Sequence, residues 1–122
     1  MRIDFKFNIP IYIQITEFIK NQITSGYLKP GDKLASVREL EDLLQVSSNT
    51  IQHAFRELEK EDIIIISRGR GRYVTNNLDK ISRLCKTRER ELVSSFINGM
   101  EDLGFVKEEI FSTTLSFVKG NL

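Results

Sequence analysis

Three short stretches of this chain carry side chains suited to binding a polyanion. Ser47-Ser48-Asn49-Thr50 sets hydroxyl and amide groups in succession, and Gln52, His53, Arg56 and Lys60 follow at spacings that place them, with Asn49, on one side of a helix. That side offers amide, imidazole, guanidinium and ammonium groups and no carboxylate, since Glu57, Glu59 and Glu61 fall on its flanks or at its far end. Asn and Gln can pair bidentately with adenine and Arg with guanine, so such a face suits base edges as well as phosphates. Any solvated helix face is polar, and the face alone does not separate the two readings. The hydroxyls of Ser47, Ser48 and Thr50 stand beside the unsatisfied N–H groups that open a helix, where a phosphate docks readily and where one serine is needed as a cap in any case. The second stretch, Arg68-Gly69-Arg70-Gly71-Arg72, holds three guanidinium groups and no acid. Its glycines let the backbone approach a surface closely, a combination used for phosphate contact and for arginine insertion into a minor groove. A merely solvated turn is more often Asn-Gly or Asp-Gly. Third, Arg38 stands in the first turn of a helix, where the dipole disfavours a cation. A phosphate would account for it, as would balance by Glu41 or Asp42.

Enzyme chemistry lacks material. His53 is the single histidine and Cys85 the single cysteine, about thirty residues apart. No metal-ligand spacing, phosphate-cradling loop or nucleophile motif is present, so no catalytic residue, metal site or cofactor is expected. Overall charge is silent, because 18 basic against 17 acidic residues leave +1; a nucleic-acid reading must rest on where the charges stand. With 122 residues, 40% hydrophobic and 29% charged, the chain suits one ordinary domain or a small domain with an appendage. No apolar run approaches the roughly 18 residues of a membrane helix. Met1-Arg2-Ile3-Asp4 lacks a charged-then-apolar leader pattern. A lone thiol suits a reducing compartment, and a cytoplasmic location is expected.

The elements that must position these groups follow from periodicity. Ile11, Ile15, Phe18, Ile19 and Ile23 predict a first helix over 11–25, with Pro10 near its start and Gly26 ending it in a left-handed conformation. Pro30-Gly31-Asp32 is a turn. Ser36-Val37-Arg38-Glu39 is a capping box opening a short helix that packs Val37, Leu40, Leu43 and Leu44. After the turn-prone Ser47-Ser48-Asn49-Thr50, a third helix runs to about Glu61 with Ile51, Ala54, Phe55 and Leu58 as its buried stripe. Two short helices so joined form a helix-turn-helix. Ile63–Ile66 and Arg72–Thr75 read as strands around a glycine-rich tip. From about Asp79 to Leu103 the chain is helical again. One apolar cluster there is Ile81, Leu84 and Cys85, and another is Leu92, Phe96, Ile97, Met100 and Leu103, with a last short helix around Ile110–Val118.

On these residues the sequence resembles the GntR family of bacterial transcription regulators. Pro10-Ile11-Tyr12-Ile13-Gln14-Ile15 and Ile23 to Leu34 are similar to that family's opening helix and turn, Ser36-Val37-Arg38-Glu39-Leu40 to its second helix, Val46 to Glu59 to its recognition helix, and Arg68 to Val74 to its wing. The likeness covers roughly residues 9–75. It implies a winged helix with DNA contacts at Arg38, Ser47, Ser48, Asn49, Thr50, Gln52, Arg68 and Gly69. Ala35 stands where the family usually has proline, Ser48 and Gln52 where many members have arginine, Asp62 in place of a common glycine and Glu41 in place of a common alanine. Base preference is therefore not carried over. The 47 residues after Thr75 are too few for the large ligand domain of most members, and the short tail resembles the YtrA-like subfamily, whose members dimerise through two C-terminal helices.

The expected protein is mostly α with a small β wing: a winged helix-turn-helix domain over residues 1–76 and a helical dimerisation segment over 77–122. Its partners are a double-stranded DNA operator of pseudo-palindromic sequence and a second copy of the chain, and repression is the expected outcome. Candidate DNA contacts are Arg38, Ser47, Ser48, Asn49, Thr50, Gln52, His53, Arg56, Arg68, Gly69, Arg70 and Arg72. Candidate interface residues are Leu92, Phe96, Gly99, Met100, Leu103, Ile110, Phe111 and Leu115, where Gly99 would allow close helix approach. No residue pattern names an effector, and a pocket within a dimer is left open. The alternative is a winged-helix module that binds proteins and no specific DNA.

Overall fold

The computed structural model describes residues 3–120; Met1 and Arg2 of the opening stretch, and Asn121 and Leu122, lie outside the described residues. The elements are α1 (Ile11–Thr24), α2 (Val37–Leu44), α3 (Ser48–Lys60), β1 (Ile64–Ser67), β2 (Gly71–Val74), α4 (Leu78–Asp102) and α5 (Lys107–Val118). The chain divides into two compact units, one ending at Leu84 and one beginning at Cys85. No helix among the described residues is long and apolar enough to cross a membrane.

In the first unit α1, α2 and α3 close around one core. Ile15, Ile19 and Ile23 are buried as their spacing requires, whereas Ile11, in the first turn, is 40% exposed. In α2, Leu40 is buried and Val37 and Leu44 pack partly against the core, but Leu43 is 53% exposed, against expectation. At about 100° per residue, Val37 and Leu44 lie on one side of Leu40 and Leu43 about 60° to the other, which turns it outward. The capping box forms in full: Glu39 N–H donates to Ser36 Oγ and Ser36 N–H to Glu39 Oε1, both at 3.1 Å. The Ser36 backbone N–H above all, then its hydroxyl, hold the Glu39 carboxyl below its ordinary pKa, with a smaller contribution from the Lys33 charge.

The turn between α2 and α3 comes earlier than the run of polar residues suggests. Gln45 is left-handed at φ 55°, Ser47 caps α3 by accepting from Thr50 N–H, and Ser48, Asn49 and Thr50 already belong to the first helical turn. At the far end of α3, Ile63 N–H donates to Leu58 O and Asp62 N–H to Glu59 O, a Schellman closure in which Asp62 is left-handed at φ 57°. Ile63 and Leu58, both buried, make the apolar contact that accompanies it.

The hairpin is antiparallel, with Ile64 opposite Val74, Ile65 opposite Tyr73, Ile66 opposite Arg72 and Ser67 opposite Gly71. Of the four successive isoleucines, Ile63 and Ile64 enter the core, whereas Ile65 and Ile66 stay 45% and 55% exposed. The Pro30–Leu34 segment lies along the other edge of β2. Gly31 N–H donates to Val74 O, Val74 N–H to Asp32 O and Leu34 N–H to Arg72 O, so the turn read from sequence also serves as a short third edge of the sheet.

In the second unit α4 continues to Asp102, Gly104 turns the chain at φ 98°, and Val106 N–H donates to Glu109 Oε1 at the start of α5. Ile110 is the buried apolar residue of α5, at 6% exposed. Leu92, Val93, Phe96, Leu103, Phe111, Leu115, Phe117 and Val118 are all exposed, by 41% or more. Val93, Phe96 and Ile97 of α4 and Ile110, Phe111 and Thr114 of α5 line a groove of about 400 Å³.

Asp62 sits where a side chain is tolerated rather than favoured, because the left-handed region crowds Cβ against the following carbonyl. Asp62→Gly is expected to raise stability to chemical denaturation by about 0.5–1 kcal/mol, and Asp62→Ala not to raise it. A destabilised glycine variant would show that the Asp62 side chain contributes something beyond the turn.

Candidate nucleic-acid interface

The stripe Ile51, Ala54, Phe55 and Leu58 is completely buried, which points the opposite side of α3 to solvent. Asn49 and Arg56 are exposed there, and neither side chain has a partner among the described residues. Gln52 is half-buried, and its Nε2 donates to Ser48 Oγ at 3.1 Å, so these two candidates form one polar unit. Ser47 and Thr50 are likewise joined through their hydroxyls at 2.8 Å. His53 is less free than its position on the wheel suggests. Its ring stacks on Tyr12 of α1 with centroids 3.7 Å apart, and Nε2 lies 3.6 Å from Glu57. Glu57 also pairs with Lys60 at 3.2 Å, so the carboxylate at the flank offsets part of the positive charge beyond Arg56.

Arg38 is exposed in the first turn of α2, directed by the Ser36 cap. At the wing, Arg70 N–H donates to Ser67 O, Tyr73 Oη donates to Arg70 O, and Gly69 is left-handed at φ 75°. The side chains of Arg68 and Arg70 have no partner among the described residues. Arg72 is different. Sequence grouped it with the tip, but its guanidinium lies over the Phe55 ring, 4.8 Å from the centroid, and its Nε donates to Glu59 Oε1 at 2.7 Å. The strand explains the difference, since Arg72 is two residues from Val74 and shares its inward face.

Tyr12 and Glu59 are the residues that sequence reasoning missed. The signal for Glu59 was available in part, because the alternation of β2 turns Arg72 inward and an inward arginine needs a carboxylate. The Tyr12 to His53 stack joins residues 41 positions apart and leaves no local mark.

These features define a winged helix-turn-helix protein: a capped second helix, a recognition helix with an acid-free outer arc, and an arginine-tipped hairpin. The chain belongs to the GntR family of bacterial transcription regulators and, within it, to the YtrA-like subfamily. It matches "Bacterial regulatory proteins, gntR family" over residues 11–74. The HTH-type transcriptional repressor YtrA of Bacillus subtilis is 46% identical over 77 residues, covering 63% of this chain and 59% of that protein. A solved GntR family transcriptional regulator from Listeria monocytogenes is 40% identical, with a TM-score of 0.86 over 92% of this chain and 98% of that one. The DNA-binding domain of AraR, solved in complex with operator ORX1, is 26% identical with a TM-score of 0.57 over 62% of this chain and 95% of that one.

Two expectations follow for the exposed groups. If Gln52 reads a base pair, Gln52→Ala costs about 1–3 kcal/mol on the preferred duplex and relaxes preference at one position. Equal loss on preferred and random duplex would leave Gln52 a positioning role alone. At the wing, Arg68→Ala with Arg70→Ala should weaken binding to every duplex and make the slope of log affinity against log salt shallower by about 0.9 per lost phosphate contact. Unchanged affinity in the double variant would remove the tip from the DNA surface.

Proposed function

We propose that this protein is a repressor that binds a pseudo-palindromic operator as a homodimer, each copy presenting α3 to a major groove and its wing to the adjoining backbone or minor groove. The carrying observation is the acid-free arc of α3 beside the unpartnered Arg68 and Arg70. The AraR DNA-binding domain, which shares the fold, is solved in complex with an operator, and this supports DNA as the partner here. Residues 1–76 form the DNA-binding part and residues 77–122 the dimerising part. Work of this kind takes place in the cytoplasm, where the unpaired Cys85 stays reduced.

The dimer reading rests on unburied apolar surface. The second unit exposes Leu92, Phe96, Leu103, Phe111, Leu115, Phe117 and Val118, and soluble monomers rarely expose large contiguous apolar patches. Two helices of one copy leave Leu92, Phe96, Leu103, Phe111 and Leu115 in water, whereas four helices from two copies can enclose them with the half-buried Met100. Ile110, expected at the interface from sequence, is already buried within one copy because it packs inward from α5. Apolar side chains of a partner's helix would fill the groove between α4 and α5. Gly99 has open space around it, with nothing within 4 Å of an added Cβ, so its small size is unused within one copy. Close approach of the partner's helix would use it.

Sedimentation of the full chain tests this. The unaltered protein should be dimeric at micromolar concentration. Phe96→Glu with Leu103→Glu should be monomeric, with operator affinity lower by roughly a hundredfold or more because the two half-sites no longer act together. Gly99→Leu, harmless to a single copy, should weaken association. A monomeric unaltered chain, or a glutamate variant that still dimerises, would overturn the assignment of the tail.

A further inference from the structure

We propose that Arg72 and Glu59 are positioning residues that brace the wing against the recognition helix, and that Arg72, although part of the arginine-rich run, makes no contact with DNA. The proposal rests on the operator-binding reading and adds how the two DNA-facing elements are held in register. Three observations carry it. The Arg72 Nε to Glu59 Oε1 distance is 2.7 Å, and the two side chains are only 29% and 19% exposed. The guanidinium lies over Phe55, a residue with no exposed surface, so the cation is held by a ring that is itself immobile in the core. Among the described residues this is the one side-chain ion pair that joins α3 to the hairpin.

A two-stranded hairpin is marginal by itself, and its tip can sway relative to the helix beside it. Here the backbone of β2 is held on its outer edge by the Pro30–Leu34 segment, through Leu34 N–H to Arg72 O. The Arg72 side chain ties the same residue to α3. One residue thus links three elements, at the point where the strand leaves the core and the exposed tip begins. An operator contacted by both α3 and the tip rewards a fixed spacing between them, because freedom left in the hairpin must be removed on binding. A guanidinium that pairs with a carboxylate and stacks on a ring cannot be replaced by a simple cation at this position.

The test uses the full chain, the duplex it selects from a random pool, and a random duplex of equal length. Glu59→Gln keeps the shape of the side chain and removes a negative charge, so bulk electrostatics alone would tighten DNA binding. Under the brace it should instead weaken binding to the selected duplex by roughly tenfold, Arg72→Gln should do the same, and the double variant should be no worse than either. The salt slope should stay unchanged in all three, since no phosphate contact is lost. Binding is measured on protein shown by circular dichroism to be folded, which separates loss of the brace from loss of the fold. A shallower slope for Arg72→Gln with unchanged or tighter binding for Glu59→Gln would make Arg72 a phosphate contact and overturn the proposal. Unchanged affinity in both single variants would overturn it equally. If neither single variant loses affinity while the unaltered chain binds its duplex with a steep salt slope, the brace alone is wrong; if the unaltered chain binds no duplex, both readings fall.

Discussion

Everything on the proposed DNA surface depends on the rotation of α3 about its own axis, and that rotation is set by apolar burial. Ile51, Phe55 and Leu58 have no exposed surface. Burial of each contributes about 1.5–3 kcal/mol relative to exposure. Turning the helix by one residue would bring Gln52 or His53 toward the core, and an unpaired buried amide costs about 1–3 kcal/mol. The outward arc of Asn49, Gln52 and Arg56 is therefore a consequence of the inward stripe. Longer-range contacts then trim the helix: the Tyr12 ring against His53 on one flank, and Lys20 with Glu61 at 3.1 Å near the far end.

Around that helix the other two presenting elements are set by polar bonds. The reciprocal bonds between Ser36 and Glu39 decide where α2 begins, and so where Arg38 stands in its first turn. The wing gains its direction from both edges of β2, which pairs with β1 on one side and with Asp32 and Leu34 on the other. At the tip Gly69 and Gly71 have φ 75° and 110°, a region that side-chain-bearing residues rarely adopt. The combination leaves Arg68 and Arg70 exposed on a short, anchored loop.

Much of this was legible from sequence because it is local. The buried stripe of α3, the capping box and the glycines at chain reversals each depend on residues within one or two turns of one another. Pattern was less informative where packing partners come from afar. Leu43 fits an apolar reading of α2 but lies on the wrong side of Leu40, and Ile65 and Ile66 are as β-branched as Ile63 and Ile64 yet face solvent. Composition groups Arg72 with the arginines of the tip, whereas the alternation of a strand separates it from them. The helical wheel places His53 on the outward face but gives no sign of its stacking partner, because Tyr12 lies on another helix. Asp62 stands where the family commonly has glycine, and its left-handed backbone accounts for that preference.

The central claim is sequence-specific recognition of DNA by a symmetric pair of these chains, and selection of bound duplexes from a random pool tests it most directly. Enriched sequences should contain two inverted half-sites whose centres lie one helical turn, about 10–10.5 base pairs, or a multiple of it apart. Affinity for them should fall steeply and linearly with salt on logarithmic axes. Enrichment of no sequence, or binding indifferent to salt, would contradict it and favour a winged-helix module whose partner is a protein.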